Sequence, residues 1–186
     1  MTARGGGPRV LLLGLMGSGK SRVGEALAAR LGVPLLDNDV RLAVQEGHSK
    51  LALFEAVGAV AFAEAEVEVA LEIIQTPSPF VGGLPSGVLL DPRVRAALKQ
   101  EGQPFCVWLR ARLETLAARL AVGILDRPRL DGDLGAALSR LAPPREAAFE
   151  AVADLTLDVE GRTPAELAEA IEKALGSRWP PAPSSH

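Results

Sequence analysis

The stretch that most limits how this chain can fold lies near its beginning and is rich in glycine. It reads Gly14-Leu15-Met16-Gly17-Ser18-Gly19-Lys20-Ser21 and matches the pattern G-x-x-x-x-G-K-[ST] at every position. The short apolar run at 10–13 before it is typical of a buried parallel strand. After it, apolar residues recur every four positions up to Gly32, which predicts a helix with a glycine C-cap. Strand, loop and helix therefore follow in the order that a phosphate-binding loop requires.

The residue types in this loop predict its chemistry. Glycines allow successive backbone N–H groups to turn toward phosphate oxygens, and the start of the helix adds its partial positive charge. Lys20 brings a full charge to the β- and γ-phosphates, and the Ser21 hydroxyl is placed to ligate Mg²⁺. The sequence therefore predicts a binding site for a nucleoside triphosphate.

Composition argues against several other classes of function. The net charge of the 186 residues is −3 and aromatic residues make up 4%, so the chain lacks the basic excess and the stacking surfaces of nucleic-acid-binding proteins. Cys106 is the only cysteine, which excludes an internal disulfide. We find neither an apolar stretch of membrane-spanning length nor a secretory signal. We expect a cytoplasmic monomer that binds a small molecule, without nucleic-acid or membrane partners.

Strand patterns alternate with helix patterns along the rest of the chain. Four further apolar runs predict strands, at 34–36, 80–81, 105–109 and 155–159. This alternation predicts an α/β sandwich with a parallel sheet, whose ligands gather at the carboxyl ends of the strands. We expect one folded domain over 9–176, with flexible tails at 1–8 and 177–186.

Two of the predicted helical regions contain residues that disturb a helix. The region 40–75 is expected to break near Gly47 and Gly58. The region 134–152 is expected to be interrupted at Pro143-Pro144. Near the end of the chain, Thr163-Pro164-Ala165-Glu166 matches a capping box and predicts the start of the last helix.

Charged residues outside the loop suggest the rest of the chemistry. Asp37 and Asp39 follow the second predicted strand, where one carboxylate can hold Mg²⁺ through water and the other can accept a proton from an acceptor hydroxyl. The alternative is that the pair simply caps the next helix, and the pattern alone leaves both open. Arg127, in a predicted mobile loop at 123–135, suits a lid that closes over a nucleotide, although it can equally be a solvated arginine.

The run at 10–24, the Leu-Leu-Asp-Asn-Asp at 35–39, and the later loop and helix together resemble the shikimate kinase family. The resemblance extends over about 9–175. It implies a P-loop fold with a five-stranded parallel sheet, helices on both faces and a lid. It also implies transfer of a phosphoryl group from ATP, with Mg²⁺, to a hydroxyl of shikimate, which carries a carboxylate.

The resemblance assigns roles to individual residues. The catalytic residues would be Lys20, Asp39 and Arg127. The ATP site would be formed by Gly17, Ser18, Gly19, Lys20, Ser21, Arg22 and the lid arginine Arg127, with Arg162 beside the adenine. Mg²⁺ would be held on the side of Ser21 and Asp37. The acceptor would contact Asp39, Arg145 and Ser86, with Arg145 on its carboxylate.

The departures from the family pattern fall on the acceptor side. The family's Phe-Arg-x-x-Glu reads here Phe62-Ala63-Glu64-Ala65-Glu66, so an arginine that binds the acceptor carboxylate is missing and Glu66 is expected to lack its partner. Losing one charge-assisted hydrogen bond costs about 1.5–3 kcal/mol. Arg41 is one candidate substitute. A Gly-Gly-Gly loop after the third strand is also broken, and falls either on 85–87 or on 82–84.

Three functions therefore stay open on the sequence alone. The chain is a shikimate kinase, or a kinase of the same fold with a different acceptor, or an ATP-binding protein without catalysis that acts as a sensor or partner. Convergence of Arg145 and Asp39 on a pocket near Lys20 would favour a kinase with an anionic acceptor.

Overall fold

The computed structural model describes residues 7–47, 49–122 and 134–176. Within these residues, five parallel strands form one sheet in the order β2-β3-β1-β4-β5. Their bounds are Arg9–Leu13 (β1), Leu35–Asp37 (β2), Phe80–Gly83 (β3), Phe105–Arg110 (β4) and Leu155–Asp158 (β5). The predicted α/β architecture with a parallel sheet is confirmed.

Helices follow the strands along the chain. They are Lys20–Leu31 (α1), Asn38–Glu46 (α2), Lys50–Gln75 (α3), Pro92–Ala97 (α4), Leu113–Val122 (α5), Leu134–Glu150 (α6) and Pro164–Gly176 (α7), with a 3₁₀ turn at Val88–Leu90. The described helices include none that is long and apolar enough to span a bilayer.

The core forms where the sheet meets these helices. The central strand β1 is buried on both faces at 10–13, as its unbroken apolar run predicts. Helix α7 packs its apolar residues Leu167, Ile171 and Leu175 into this core. Cys106, within the strand predicted at 105–109, is also fully buried on β4.

Local capping signals in the sequence fix several helix ends. Gly32 adopts a left-handed conformation and its N–H donates to the Ala28 carbonyl, which ends α1. In the predicted capping box, the Thr163 N–H and hydroxyl donate to the Glu166 carboxylate, and the Glu166 N–H donates back to the Thr163 hydroxyl. The start of α7 is therefore set locally, as predicted.

The predicted interruption at Pro143-Pro144 was wrong, because α6 continues through both prolines. A proline removes one N–H donor from a helix, which leaves the carbonyl four residues earlier without its partner. Here those carbonyls belong to Ser139 and Arg140, which are exposed to solvent. Water can therefore satisfy them, and the helix tolerates the pair.

Candidate active site

The glycine-rich loop lies between β1 and α1, at the carboxyl edge of the sheet. Gly14, Gly17 and Gly19 all have positive φ angles, of 149°, 84° and 96°. A Cβ at Gly14 would lie 2.6 Å from the Ser18 hydroxyl oxygen and 2.7 Å from the Leu109 carbonyl oxygen. The turn therefore requires glycine at this position, because a side chain would be both strained and in collision.

Two side chains hold the loop in shape. The Lys20 ammonium donates to the carbonyls of Gly14 at 2.7 Å and Leu15 at 3.1 Å. From α5, Arg119 donates to the Gly17 carbonyl at 3.1 Å. Arg119 was not among the predicted site residues, since a helical arginine offers no spacing signal that would connect it to the loop.

The start of α1 faces this loop with backbone groups. Its N-cap is Gly19, which has no side chain to accept hydrogen bonds from the first turn. Ser21 and Arg22, in that turn, are exposed. The first turn of α1 therefore presents N–H donors and a hydroxyl, which is the arrangement that binds phosphate.

Asp37 stands at the carboxyl end of β2 and caps α2. Its Oδ1 accepts hydrogen bonds from the N–H groups of Asp39 at 2.8 Å and Val40 at 3.2 Å. The capping interpretation of this aspartate is therefore confirmed, and Oδ1 carries it. Asp37 is in register with Gly83 on β3, which is in register with Leu12 on β1. Two strand spacings, about 10 Å, therefore separate the end of β2 from the end of β1.

Between the two aspartates lies a buried amide that was not among the predicted site residues. The Asn38 side chain is 1% exposed, and neither its nitrogen nor its oxygen has a hydrogen-bond partner within the described part of the chain. The Ser18 hydroxyl in the phosphate loop is also buried, and it too has no hydrogen-bond partner in the described part of the chain. Burying such groups unpaired is costly, so both are candidates to bond to a ligand or to water.

Asp39 belongs to a cluster of three charged side chains. The Lys50 ammonium lies 2.7 Å from Asp39 Oδ1 and 2.9 Å from Glu66 Oε1. The Glu66 side chain is only 5% exposed, whereas Asp39 is 53% exposed. The expectation that Glu66 lacks a partner was therefore wrong: Lys50 pairs with it, and Arg41 forms no ion pair with it in the described residues.

Lys50 is held in its charged state by this cluster. Burial by itself lowers the pKa of the ammonium, but the nearby carboxylates of Asp39 and Glu66 outweigh it, and the net effect raises the pKa. The Lys50 ammonium also lies 5.7 Å from the centre of the Phe62 ring, which is a favourable site for a cation. Asp39 and Lys50 line one open groove of about 600 Å³ beside α2.

A kink in α3 brings Lys50 and Glu66 together. Sixteen positions separate them, and a straight helix would hold them about 24 Å apart. Gly58 interrupts the helix with φ 78° and ψ 170°, a conformation that is almost restricted to glycine. The predicted break at Gly58 is confirmed, and it is the reason why one ammonium reaches both carboxylates.

Arg145 lies on α6 beside the turn that follows β3. A Cβ built on Gly87 would lie 3.8 Å from Arg145 Nη2, and Arg145 Nη1 donates to the Leu141 carbonyl. Ser86 lies in the same turn and is half-buried. The structure thus places Arg145 against the segment 85–87. By contrast, Gly82 lies in the sheet itself, where a Cβ would come within 2.9 Å of Leu11.

The remaining predicted site residues lie at the far side of the sheet or outside the described residues. Arg162 follows β5 and donates from Nη2 to the Glu166 carbonyl at 3.2 Å, next to the start of α7. Arg127 and most of the predicted loop at 123–135 lie outside the described residues, and the last two positions of that loop already belong to α6. On this side of the sheet, the Asp154 N–H donates to the Cys106 carbonyl at 2.8 Å. This hydrogen bond joins β4 to the turn before β5 and so positions the two strands.

A parallel sheet in this order, with a glycine-rich loop between its central strand and the following helix, defines a P-loop nucleotide-binding protein. The family model described as shikimate kinase matches residues 16–176. The chain therefore belongs to the shikimate kinase family, and it is a kinase that acts on a hydroxyl group.

Individual relatives agree with this assignment. The chain is 38% identical over 159 residues to a shikimate kinase of Paramagnetospirillum magneticum, an alignment that covers 85% of this chain and 79% of that protein. It is 35% identical over 168 residues to a shikimate kinase of Thermobifida fusca, covering 90% and 95%. Among solved structures, the shikimate kinase from Acinetobacter baumannii in complex with shikimate superposes with a TM-score of 0.83, at 27% identity, covering 92% and 94%.

Proposed function

We propose that this chain transfers the γ-phosphoryl group of ATP to a hydroxyl of shikimate. The observation that carries the proposal is the placement of Asp37 and Asp39 at the same sheet edge as the phosphate loop, two strand positions away. Support comes from the relatives, which are named shikimate kinases, and from a similar structure with shikimate bound. We further propose that residues 9–176 form one kinase domain, in keeping with the family match over 16–176.

On the nucleotide side, the loop and the first turn of α1 would bind the phosphates through backbone N–H groups. The Lys20 ammonium, which contacts two loop carbonyls, would turn toward the β- and γ-phosphates and spread positive charge over them. Arg22 would add charge from the first turn of α1. Arg162 would lie beside the adenine, and Arg127 would cover the phosphates from the lid.

The donor set at this edge also fits Mg²⁺. The Ser21 hydroxyl and the second oxygen of Asp37 are hard oxygen ligands, which this ion prefers, and Asp37 uses Oδ1 for the cap. These two residues would hold the ion, directly or through water. When bound, Mg²⁺ would neutralise part of the charge on the phosphates.

On the acceptor side, Asp39 would receive the proton of the attacking hydroxyl. The acceptor oxygen forms a bond to the γ-phosphorus while the bond from that phosphorus to the β–γ bridging oxygen breaks. ADP leaves with the bridging oxygen, and the proton passes to the Asp39 carboxylate. Ser86 and Arg145, in and beside the turn after β3, would complete the acceptor pocket.

A kinase of the same fold with another acceptor is the second candidate. The observation that favours it is the turn at 85–87: if the family's Gly-Gly-Gly falls there rather than on 82–84, Pro85 and Ser86 would reshape the backbone that approaches the acceptor. The cytoplasmic location and the monomeric state stay predictions.

Product analysis separates these candidates. Purified protein is incubated with ATP, Mg²⁺ and shikimate, and ADP and phosphorylated shikimate are quantified by mass spectrometry, with a reaction lacking shikimate as the control. We expect equal amounts of both products, and Asp39→Asn should lower kcat by about a hundredfold or more while the KM for ATP stays the same. ATP binding without shikimate phosphorylation would reject the proposal.

A further inference from the structure

We propose that Lys50 is the residue that binds the carboxylate of the acceptor and orients Asp39. In this role it takes the place of the arginine that is absent at position 63. The inference rests on the proposed function, because it concerns the acceptor half of the same site. It assigns a specificity-determining role to a residue that the sequence analysis did not single out.

The first argument is the hydrogen-bonding capacity of the ammonium. Lys50 has three N–H donors, and its two carboxylate partners, Asp39 and Glu66, take two of them. At least one donor is therefore left for another acceptor of hydrogen bonds. The side chain is 35% exposed and lines the open groove with Asp39, so a small molecule in that groove can reach it.

The second argument is the burial of Glu66. A carboxylate that is 5% exposed needs a cation beside it, because an unpaired buried charge is strongly unfavourable. Residue 63 lies on the same helix, three positions earlier, but is an exposed alanine that supplies no charge. The chain supplies that charge from Lys50 instead, across the kink at Gly58. Glu66 therefore still has a cation beside it, but that cation comes from position 50 and not from position 63.

The third argument concerns Asp39, the proposed proton acceptor. Lys50 holds Asp39 through Oδ1 at 2.7 Å, which fixes the carboxylate and leaves Oδ2 for the acceptor hydroxyl. One ammonium beside both the acceptor carboxylate and Asp39 would fix the distance between the two ends of the substrate. Lys50 therefore favours a hydroxy acid over a neutral polyol in this groove.

The test compares an acceptor that has the carboxylate with one that lacks it. Initial rates are measured with shikimate and with its carboxamide, a neutral molecule of nearly the same size, for wild type and Lys50→Met. Methionine keeps the length and the apolar stem of lysine but removes the charge. Lys99→Met, an exposed lysine outside the site, is the matched control.

We expect Lys50→Met to raise the KM for shikimate by about 10- to 100-fold, the usual cost of one charge-assisted bond. The KM for the carboxamide and for ATP should change by less than about threefold, and Lys99→Met should behave as wild type. Since Lys50→Met removes the ammonium beside the buried Glu66, Lys50→Met/Glu66→Gln is measured as well, because it removes both charges. The same selective loss is expected for that variant.

Each outcome decides a separate claim. An equal rise in KM for shikimate and its carboxamide, or no rise, would overturn the role of Lys50 and leave the kinase activity standing. If wild type makes no phosphorylated shikimate, the proposed function fails, and Lys50 is then tested by calorimetric binding of shikimate. Equal dissociation constants for wild type and Lys50→Met, or no binding to either, would overturn the inference as well.

Discussion

The two halves of the site differ in what they are built from. The phosphate side consists mainly of backbone: three glycines with positive φ, a helix N-terminus and one lysine that contacts loop carbonyls. The proposed acceptor side consists of side chains on α2, α3 and α6 and in the turn after β3, with a cluster of charges around Lys50. Backbone geometry fixes residue type at each position, whereas a charge can be supplied from several positions. The phosphate side therefore keeps the sequence pattern of the family, whereas the acceptor side departs from it.

The largest effect is expected from a change in the backbone half. Gly14→Ala should destabilise the protein by on the order of 3 kcal/mol, because it combines a strained φ with a clash against the Leu109 carbonyl. It should also weaken ATP binding. Chemical denaturation and ATP titration measure both effects. Gly102→Ala is the control, since that glycine also has a positive φ but open space around it.

A smaller effect is expected from the kink between the two ends of α3. Gly58→Ala strains the backbone by about 1–3 kcal/mol and opposes the bend that joins Lys50 to Glu66. We expect the KM for the acceptor to rise while the KM for ATP stays within about twofold. Steady-state kinetics with each substrate varied in turn would check this. Equal losses for both substrates would argue against the separation of the two halves.

The charge cluster of Asp39, Lys50 and Glu66 should also make the stability of the protein depend on pH. The pKa of Lys50 is raised in the folded protein, so its stabilising contribution is fully present below the unfolded lysine pKa, about 10.4. That contribution is lost as the pH rises through the folded value. The difference in melting temperature between wild type and Lys50→Met should therefore be constant from pH 6 to about pH 9, and shrink above about pH 10.5. A difference that already vanishes near neutral pH would contradict the pairing.

The smallest effect is expected at the capping box, which lies next to Arg162 and away from the acceptor half. Thr163→Ala removes the hydroxyl that accepts the Glu166 N–H and should cost about 1 kcal/mol of stability. The KM for the acceptor should stay at its wild-type value. Thr163→Ser, which keeps the hydroxyl, is the matched control. A change in the acceptor KM would show that α7 influences the site.

Much of the fold and of the phosphate side could be predicted from the sequence, because their signals are local. Apolar runs predict the strands, Gly32 predicts the end of α1, and the loop pattern predicts its own turn. Other features could not be predicted, among them the role of Lys50 and the continuity of α6. Lys50 gave no signal because its contact with Glu66 depends on the angle of the Gly58 kink. The continuity of α6 depends on which carbonyls face solvent.

The roles of the lid residues and of the individual site residues stay predictions. Among them, Arg145 lies against the turn at 85–87, which is a position that supports its proposed contact with the acceptor. If both Arg145 and Lys50 contact the acceptor, two cations would hold its carboxylate. That arrangement would compensate for the alanine at position 63.

The most direct test is a crystal structure of the protein with shikimate and a non-hydrolysable ATP analogue. The central claim is that the acceptor cation has moved to Lys50. We expect the Lys50 ammonium at about 3 Å from a carboxylate oxygen of shikimate, with Asp39 facing the acceptor hydroxyl. A shikimate carboxylate bound by Arg145 alone, with Lys50 contacting only Asp39 and Glu66, would contradict it.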